Sequence, residues 1–226
     1  TLISFAKKPE DAKPDVELKR LLLLLAKKRK NQLAIVSGRD RLTMEQWLGD
    51  ISCTLVAEHG AWIRVDPHSS WKAQKNISTE WKSQVMPILI TYEARVPGSL
   101  VEDKEFGLAW HYRKANPELG EIRSCELFDN LNEFLANTDL QLTHGKKVIE
   151  VRPGGVNKGQ AAQNLFMKDA YDFVLALGDD WTDEDLFKAL PDSGYTIKIG
   201  YGPTKARFFL DSPQSCRRFL HDLTKK

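Results

Sequence analysis

Apolar residues recur at helical spacing near the start of the chain and form short continuous runs further on. Four leucines follow one another at i, i+3, i+4 and i+7: Leu18, Leu21, Leu22 and Leu25. Asp15 precedes them at the position of a helix N-cap, so the pattern predicts an amphipathic helix. The runs LAIV (33–36) and TLVA (54–57) each end in a polar loop, which indicates fully buried strands with a helix at about 40–48 between them.

The same alternation of helix and strand returns in the last third of the chain. The predicted elements are a helix KGQAAQNLFMK (158–168), a strand DFVLAL (172–177), a helix from Asp183, a strand YTIKI (195–199) and a helix at 215–223. Apolar strands that alternate with helices are typical of a parallel sheet covered on both faces. We therefore expect the two ends of the chain to share one α/β domain.

The middle of the chain has a different pattern. In FGLAWHYR (106–113), apolar Phe, Leu, Trp and Tyr alternate with Gly, Ala, His and Arg, which predicts a half-buried strand. Two long helices are predicted nearby, one around 81–92 and one at 117–135. This part therefore reads as an α+β module inserted into the α/β domain. We expect core residues 1–62, an inserted cap 63–152, core residues 153–226, and a hinge at Pro153, Gly154 and Gly155.

Composition excludes several classes of protein. The 226 residues are 42% hydrophobic and 28% charged, and no apolar run approaches the roughly 18 residues of a membrane span. The leucine run at 21–26 is flanked by charges and is read as a helix stripe, not as a signal peptide. A net charge of +2 gives no reason to expect nucleic acid as a partner. The three scattered cysteines favour reduced thiols and a cytoplasmic location.

Polar residues occupy three predicted loops, two directly after a strand and one at the start of a helix. Ligands bind at the carboxyl ends of the strands in such sheets, so the loops 37–39, 157–158 and 178–180 are expected to converge. The carboxylates of Asp179 and Asp180 repel each other, and a bound Mg²⁺, which prefers hard oxygen ligands, would relieve this repulsion. From the spacing alone, a solvated turn without a metal ion is an equally good interpretation. The hydroxyl of Ser37 and the cation of Lys158 predict a phosphate site at the same edge.

The acidic stretch after Asp180 has a simpler interpretation. Thr182 and Asp185 have the spacing of a capping box for the helix that follows. Glu184 and Asp185 are expected to do no more than favour the N-terminus of that helix electrostatically.

Longer strings of residues resemble a known family. VSGR, GVNKG and GDDWTDED resemble the second, third and fourth motifs of the haloacid dehalogenase (HAD) superfamily of phosphotransferases. LVAEHGAW, PGSLVEDKEFGLAWHYR and KVIEVRPGGVNKG extend the resemblance to the trehalose-6-phosphate phosphatases over nearly the whole chain. The resemblance implies a Rossmann-like parallel-sheet core with an inserted α+β cap, dependence on Mg²⁺, and hydrolysis of trehalose 6-phosphate to trehalose and phosphate.

The resemblance also implies roles for the strand-end residues. Ser37 would hydrogen-bond the transferring phosphoryl group, and Lys158 would neutralise its charge. Asp179 would bind Mg²⁺, with Asp180 and Asp183 as direct or supporting partners.

Sugar recognition is expected in the inserted module. Glu102 and Lys104 match the E-x-K pair that contacts trehalose in the family, and Glu150 matches its third contact. Four further residues are assigned to the substrate: Arg39, His59, Arg113 and Asn157. The alternatives from the residues alone are an exposed ion pair for Glu102 and Lys104, and a turn histidine for His59.

The first motif of the family, D-x-D-G-T, supplies a nucleophilic Asp and a general acid. Thr1 and Leu2 resemble the stretch just after this motif, so both carboxylates are expected upstream of residue 1.

Three hypotheses about function follow. The first is a phosphatase, which in some members of the family is fused to a trehalose-phosphate synthase. A non-catalytic regulatory domain that binds a sugar phosphate is the second. A phosphatase for another sugar phosphate, such as sucrose 6-phosphate, is the third.

Overall fold

The structure is a computed structural model that describes residues 1–4, 11–74, 77–166 and 171–225. The chain divides into two compact units. The first unit combines residues 1–74 and 157–226, and the second comprises residues 75–156. The two ends of the chain thus lie in one unit. No helix within the described residues combines the length and the apolar character needed to cross a membrane.

The helices of the first unit begin and end close to where the apolar spacing places them. They are α1 (Val16–Lys27), α2 (Arg41–Leu48), α5 (Lys158–Phe166), α6 (Asp183–Ala189) and α7 (Pro213–Thr224). The carboxylate of Asp15 accepts a hydrogen bond from the Leu18 amide at 2.7 Å, which confirms the predicted N-cap of α1. The predicted residues 167 and 168 of α5 lie outside the described residues.

The strands of the first unit form two sheets. They are β1 (Ala34–Val36), β2 (Thr54–Ala57), β3 (Trp62–Arg64), β4 (Lys72–Ala73), β9 (Leu175–Gly178), β10 (Tyr195–Ile199) and β11 (Phe208–Leu210). One sheet has the order β1-β2-β3-β4, with β1 and β2 parallel and the remaining pairs antiparallel. The other has the order β11-β10-β9 and is parallel throughout. The expected parallel pairing is confirmed at the strands that carry the candidate loops.

Helix α1 packs its leucines into the cores of both sheets. Leu18 and Leu22 pack in a cluster with residues of α2 and β2, whereas Leu21 and Leu25 pack with residues of β10 and α7. Because the four leucines lie on one wide apolar stripe, a single helix covers both sheets. Leu2 packs against both clusters.

The second unit is an antiparallel sheet with two helices on one face. Its elements are α3 (Lys82–Arg95), β5 (Leu100–Asp103), β6 (Leu108–His111), α4 (Pro117–Phe134), β7 (Leu140–Gly145) and β8 (Val148–Pro153), with the strand order β5-β6-β8-β7. Leu108, Trp110 and Tyr112 are buried in one cluster with residues of α3 and α4. This confirms the alternation predicted for 106–113, and it leaves the opposite face of the sheet for polar side chains.

The division between the units lies further along the chain than the sequence pattern suggested. Residues 63–74 belong to the first unit because β3 and β4 extend the sheet of β2 by antiparallel pairing. The Gly154 amide donates to the carbonyl of Asp139 at 2.7 Å, and Arg152 donates to the carbonyl of Val156 at 2.9 Å. These bonds make the Pro-Gly-Gly turn part of the second unit, which ends at Val156.

Candidate functional site

Three loops of the first unit follow strands of its two sheets. Ser37 follows β1, the 3₁₀ turn Glu58–Gly60 follows β2, and Asp179 follows β9. Since β1 and β2 are parallel, the first two loops leave the same edge of their sheet. Main-chain hydrogen bonds join them: the His59 amide donates to the carbonyl of Ser37, and the Glu58 amide to the carbonyl of Arg39, both at 2.9 Å.

His59 is buried in an uncommon backbone conformation. Its φ is 58° and that of Glu58 is 45°, values that cost free energy in residues with a side chain and are frequent at functional sites. The imidazole lies against Gly38, where the Cβ of any other residue would collide with the ring. The turn therefore holds His59 on the Ser37 loop, whereas its contact with a substrate stays a prediction.

Helix α5 presents Lys158 at its first residue. The side-chain oxygen of Asn157 accepts a hydrogen bond from the Gln160 amide at 2.8 Å, so Asn157, assigned to the substrate above, serves as the N-cap of this helix. The turn 58–60 packs against the same helix. Lys158 is 7% exposed, and its Nζ donates to Oδ1 of Asp183 at 2.7 Å.

Asp183 is held by donors on both of its oxygens. Oδ1 accepts from Lys158, and Oδ2 accepts from the main-chain amides of Asp179 and Asp180, each at 2.9 Å. Gly178 is required here because a Cβ at this position would overlap the carboxyl group of Asp183. Asp183 thus shapes the loop that carries the two preceding carboxylates.

Burial alone would raise the pKa of Asp183, because a charged carboxylate loses its solvation. The positive charge and hydrogen bond of Lys158, together with the amides of residues 179 and 180, outweigh this effect. The pKa of Asp183 is therefore lowered, and the side chain is ionised at neutral pH.

Asp179 and Asp180 present carboxylates at the end of β9. Oδ1 of Asp179 accepts from the hydroxyl of Thr1 at 2.5 Å. Asp180 is exposed, and its Oδ1 accepts from the Trp181 amide at 2.7 Å.

Among the described residues, no three His, Cys, Asp or Glu side chains are grouped to hold a metal ion. Mg²⁺ is often held by one or two protein carboxylates plus water and phosphate oxygens, so the donors of Asp179 and Asp180 fit it.

The expected capping box at α6 is wrong. Thr182 occupies the N-cap position but makes no side-chain hydrogen bond to the helix, because its φ and ψ are helical (−65°, −18°). Glu184 does more than favour the N-terminus of the helix electrostatically, because it also makes specific hydrogen bonds. Its side chain is 13% exposed, and its oxygens accept from the hydroxyl of Thr204 at 2.9 Å and the amide of Lys205 at 2.6 Å.

Lys198 is a residue of this site that the sequence interpretation missed. It lies on β10 beside Gly178, and its Nζ donates to the main-chain oxygen of Asp179 at 3.0 Å. The signal in the sequence was a lysine inside the strand YTIKI, between two isoleucines. A charged residue is rarely buried in such a position unless it is paired.

The polar face of the second unit gathers the residues expected to recognise sugar. Strand pairing places Glu102, Ala109, Glu150 and Thr143 side by side across the four strands. Nζ of Lys104 donates to Oε1 of Glu150 at 2.6 Å, and both side chains are about nine-tenths buried. Glu102, Lys104 and Glu150 are therefore brought together, with Lys104 paired to Glu150.

His111 lies on this face as well and was not singled out from the sequence. Its Nε2 is 2.7 Å from Oε2 of Glu102. Burial would raise the pKa of Glu102, but the hydrogen bond with His111 and the charge of Lys104 outweigh it, so that the pKa is lowered. Glu102 is consequently an ionised acceptor.

The two arginines assigned to the substrate have structural contacts. The guanidinium of Arg39 lies 4.8 Å from the centre of the Trp47 ring, a cation–π contact with α2. Arg113 lies beyond the end of β6 and donates to the carbonyl of Lys146 at 2.9 Å, in the turn between β7 and β8. A role of either residue in substrate binding stays a prediction.

Solved structures of known proteins resemble this chain in fold. The C-terminal domain of the trehalose-6-phosphate phosphatase of Candida albicans matches with a TM-score of 0.94 and 31% identity, covering 100% of this chain and 89% of that one. A haloacid dehalogenase-like hydrolase of Bacillus subtilis matches with a TM-score of 0.62 and 14% identity, which shows the fold alone. The expected HAD-like α/β fold with parallel sheets is confirmed.

Sequence comparison points to the same family. The bifunctional trehalose-6-phosphate synthase/phosphatase of Thermoproteus tenax is 41% identical over 223 residues, which cover 99% of this chain and 30% of the relative. The chain spans less than a third of the length of the curated relatives that it matches. The family model described as trehalose-phosphatase matches residues 1–214. The chain belongs to the trehalose-phosphatase family.

Proposed function

We propose that this chain is the phosphatase part of an enzyme that hydrolyses trehalose 6-phosphate to trehalose and phosphate with the help of Mg²⁺. The observation that carries the proposal is the buried ion pair of Lys158 and Asp183, which holds the main chain of Asp179 and Asp180. This pair combines a cation suited to a phosphoryl group with a fixed loop of carboxylates. Membership of the trehalose-phosphatase family supports the substrate.

Ser37 and Lys158 are proposed to bind the phosphoryl group. Oγ of Ser37 accepts from the Arg39 amide at 3.2 Å, which orients the oxygen and leaves its own hydrogen to donate to a phosphoryl oxygen. The Lys158 ammonium has three hydrogens, and its bond to Asp183 uses one. Both groups can therefore offset the charge that the transferring phosphoryl group carries.

Asp179 and Asp180 are proposed to hold Mg²⁺. When bound, the ion supplies positive charge that stabilises the phosphoryl oxygens during transfer. Asp183 contributes by holding the loop, because both of its oxygens already accept hydrogen bonds from the protein. Its direct coordination of the ion is therefore not part of this proposal.

The nucleophile is proposed to be an Asp in a D-x-D-G segment that precedes Thr1. Its carboxylate would attack phosphorus to form an aspartyl phosphate, while the second Asp protonates the departing sugar oxygen. Water would then hydrolyse the aspartyl phosphate. The hydroxyl of Thr1, which would follow this segment in the chain, donates to Asp179 at 2.5 Å, and this contact supports a nucleophile close to the proposed metal ligand.

The polar face of the second unit is proposed to recognise the sugar. Glu102, Lys104 and Glu150 offer carboxylate acceptors and an ammonium donor, the groups that sugar hydroxyls require. The pairs Glu102–His111 and Lys104–Glu150 fix these side chains in defined positions. These donors and acceptors are therefore already held in place for the uncharged sugar part of the substrate.

Replacing Glu102, Lys104 or Glu150 by Ala is expected to reduce turnover of trehalose 6-phosphate selectively. Loss of a charged hydrogen bond costs about 1.5–3 kcal/mol, equivalent to roughly 10- to 150-fold in kcat/KM. Turnover of p-nitrophenyl phosphate, which has no sugar, should change much less. Glu121→Ala, at the exposed pair with Lys147, serves as the control. Equal losses on both substrates would assign these residues to folding.

A phosphate-release assay on the full-length protein tests the proposed function. We expect Mg²⁺-dependent release from trehalose 6-phosphate, with much slower release from sucrose 6-phosphate. Binding of trehalose 6-phosphate without phosphate release would identify a non-catalytic regulatory domain instead. Faster release from another sugar phosphate would overturn the substrate assignment.

Fusion to a synthase and a cytoplasmic location are proposed as the setting of this activity. A fused synthase is present in the Thermoproteus relative, which supports the first proposal. Among the described residues, Cys53, Cys125 and Cys216 are free thiols. Free thiols are typical of proteins in a reducing compartment, which supports the second proposal. Burial raises the pKa of Cys53 and of Cys216 to about 11, which is typical of unreactive structural thiols.

A further inference from the structure

Lys198 is a buried cation on β10. Its neighbours Ile197 and Ile199 are in the apolar core, and the side chain of Lys198 itself is 8% exposed. Burial of an ammonium group is costly unless the charge is paired and hydrogen-bonded, and a Met of similar volume would avoid that cost. The groups that Nζ contacts therefore indicate the role of this buried charge.

Within the part of the chain that the structure describes, two groups lie at Nζ of Lys198. The main-chain oxygen of Asp179 accepts its hydrogen bond at 3.0 Å, and Oε1 of Glu184 lies 3.6 Å away. Glu184 is itself fixed, because it accepts from the Thr204 hydroxyl and the Lys205 amide. The ammonium is thus held between the end of β9 and the first turn of α6.

The main chain of Asp179 is consequently held on both sides by charged side chains. Its amide donates to Asp183 on α6 at 2.9 Å, and its carbonyl accepts from Lys198 on β10 at 3.0 Å. Because peptide groups are planar, fixing the two that flank a residue fixes the direction of its Cα–Cβ bond. The two contacts therefore set the direction in which the side chain of Asp179 leaves the main chain.

We propose that Lys198 is a positioning residue for the carboxylate of Asp179, kept in place by Glu184. It acts through its hydrogen bond to the main-chain carbonyl of Asp179, without touching the substrate. The inference rests on the proposed function in one respect, since it takes Asp179 to be a carboxylate that holds the metal ion. Residues that orient metal ligands typically change metal affinity or activity by roughly 10- to 100-fold when replaced.

The test is Lys198→Met in the full-length protein, with Mn²⁺ as the probe for the metal. We expect the dissociation constant for Mn²⁺, measured by electron paramagnetic resonance, to rise roughly 10- to 100-fold. For p-nitrophenyl phosphate at fixed Mg²⁺, we expect kcat to fall and KM to change little. A lower thermal unfolding midpoint with unchanged Mn²⁺ affinity would reduce Lys198 to a structural residue and overturn the proposal.

Lys188→Met is the matched control. Lys188 is on α6, its side chain is 57% exposed, and it lies 3.9 Å from Asp185. Removing the same charge there should leave Mn²⁺ affinity and kcat unchanged. A similar loss in both variants would show that the effect is not specific to the position of Lys198 and would also overturn the proposal.

Glu184→Gln decides the question if Lys198→Met does not fold. The substitution keeps an oxygen acceptor and the volume of the side chain but removes the charge beside Lys198. A weaker affinity for Mn²⁺ at unchanged KM supports the positioning role, and an unchanged affinity contradicts it. The Mn²⁺ measurement needs no sugar phosphate, so it remains valid if the wild-type protein fails to hydrolyse trehalose 6-phosphate.

Discussion

Replacing Asp179 by Ala is expected to abolish Mg²⁺-dependent turnover while the fold survives. Loss of a ligand that holds the metal removes several kcal/mol of transition-state stabilisation, and kcat should therefore fall by about 1,000-fold or more. The side chain is partly exposed and accepts a hydrogen bond from the hydroxyl of Thr1. We thus expect its removal to cost about 1 kcal/mol or less of stability. Phosphate release and circular dichroism of the full-length protein measure the two effects.

Asp185→Ala is the control for this experiment. Asp185 lies on α6, within the same acidic stretch, and its carboxylate is 3.9 Å from Lys188. Its loss should leave turnover nearly unchanged. An Asp179→Ala variant with near-normal turnover at ordinary Mg²⁺ would remove Asp179 from the metal site.

Replacing Asp183 by Asn is expected to cause the largest loss of stability of any single change at this site. The Asn amide leaves the buried charge of Lys158 unpaired, and its NH₂ group cannot accept a hydrogen bond from Lys158 or from the amides of residues 179 and 180. Breaking a buried ion pair in this way costs about 3–5 kcal/mol. Urea unfolding at pH 7, followed by tryptophan fluorescence, measures the change.

The destabilisation should depend on pH in a defined direction. The pKa of Asp183 is lowered in the folded protein from its ordinary value of 3.8, so the folded state binds fewer protons than the unfolded state in that range. The stabilisation by this carboxylate is therefore complete above about pH 4 and is lost as the pH falls through the lower, folded pKa. The stability difference between wild type and Asp183→Asn should persist from pH 7 to about pH 4 and shrink below it.

Two further variants check the origin of this effect. Asp185→Asn, at a partly exposed pair, should cost no more than about 0.5 kcal/mol. The double variant Lys158→Met with Asp183→Asn should be less destabilised than the sum of the two single changes, because no unpaired charge remains. Additive losses would mean that the two side chains act independently.

The sequence alone was sufficient for the elements whose cause is local. The leucine spacing behind Asp15 predicted α1 and its cap, because helical periodicity and capping involve residues within a few positions of each other. The alternation in 106–113 predicted the buried face of β6 for the same reason. The strings VSGR, GVNKG and GDDWTDED were sufficient for the superfamily, and the strings LVAEHGAW, PGSLVEDKEFGLAWHYR and KVIEVRPGGVNKG indicated the family.

Pairing between distant segments was harder to predict from the sequence. The strands β3 and β4 are short, and their place in the first unit depends on hydrogen bonds with β2. The strand predicted at 172–177 begins only at Leu175, where pairing with β10 starts. Strand boundaries follow the partner strand, and the identity of that partner is not a local property.

The sequence predicted which residues belong to the site, whereas the tertiary structure decided which hydrogen-bond partners they have. Strand ends predicted that Ser37, Lys158 and Asp179 belong to the loops where ligands bind, because parallel strands carry such loops at their carboxyl ends. Sequence spacing could not show that Asp183 accepts from Lys158 or that Lys198 holds the carbonyl of Asp179. These contacts join different elements at hydrogen-bond distance, and packing sets such distances to within a fraction of an ångström.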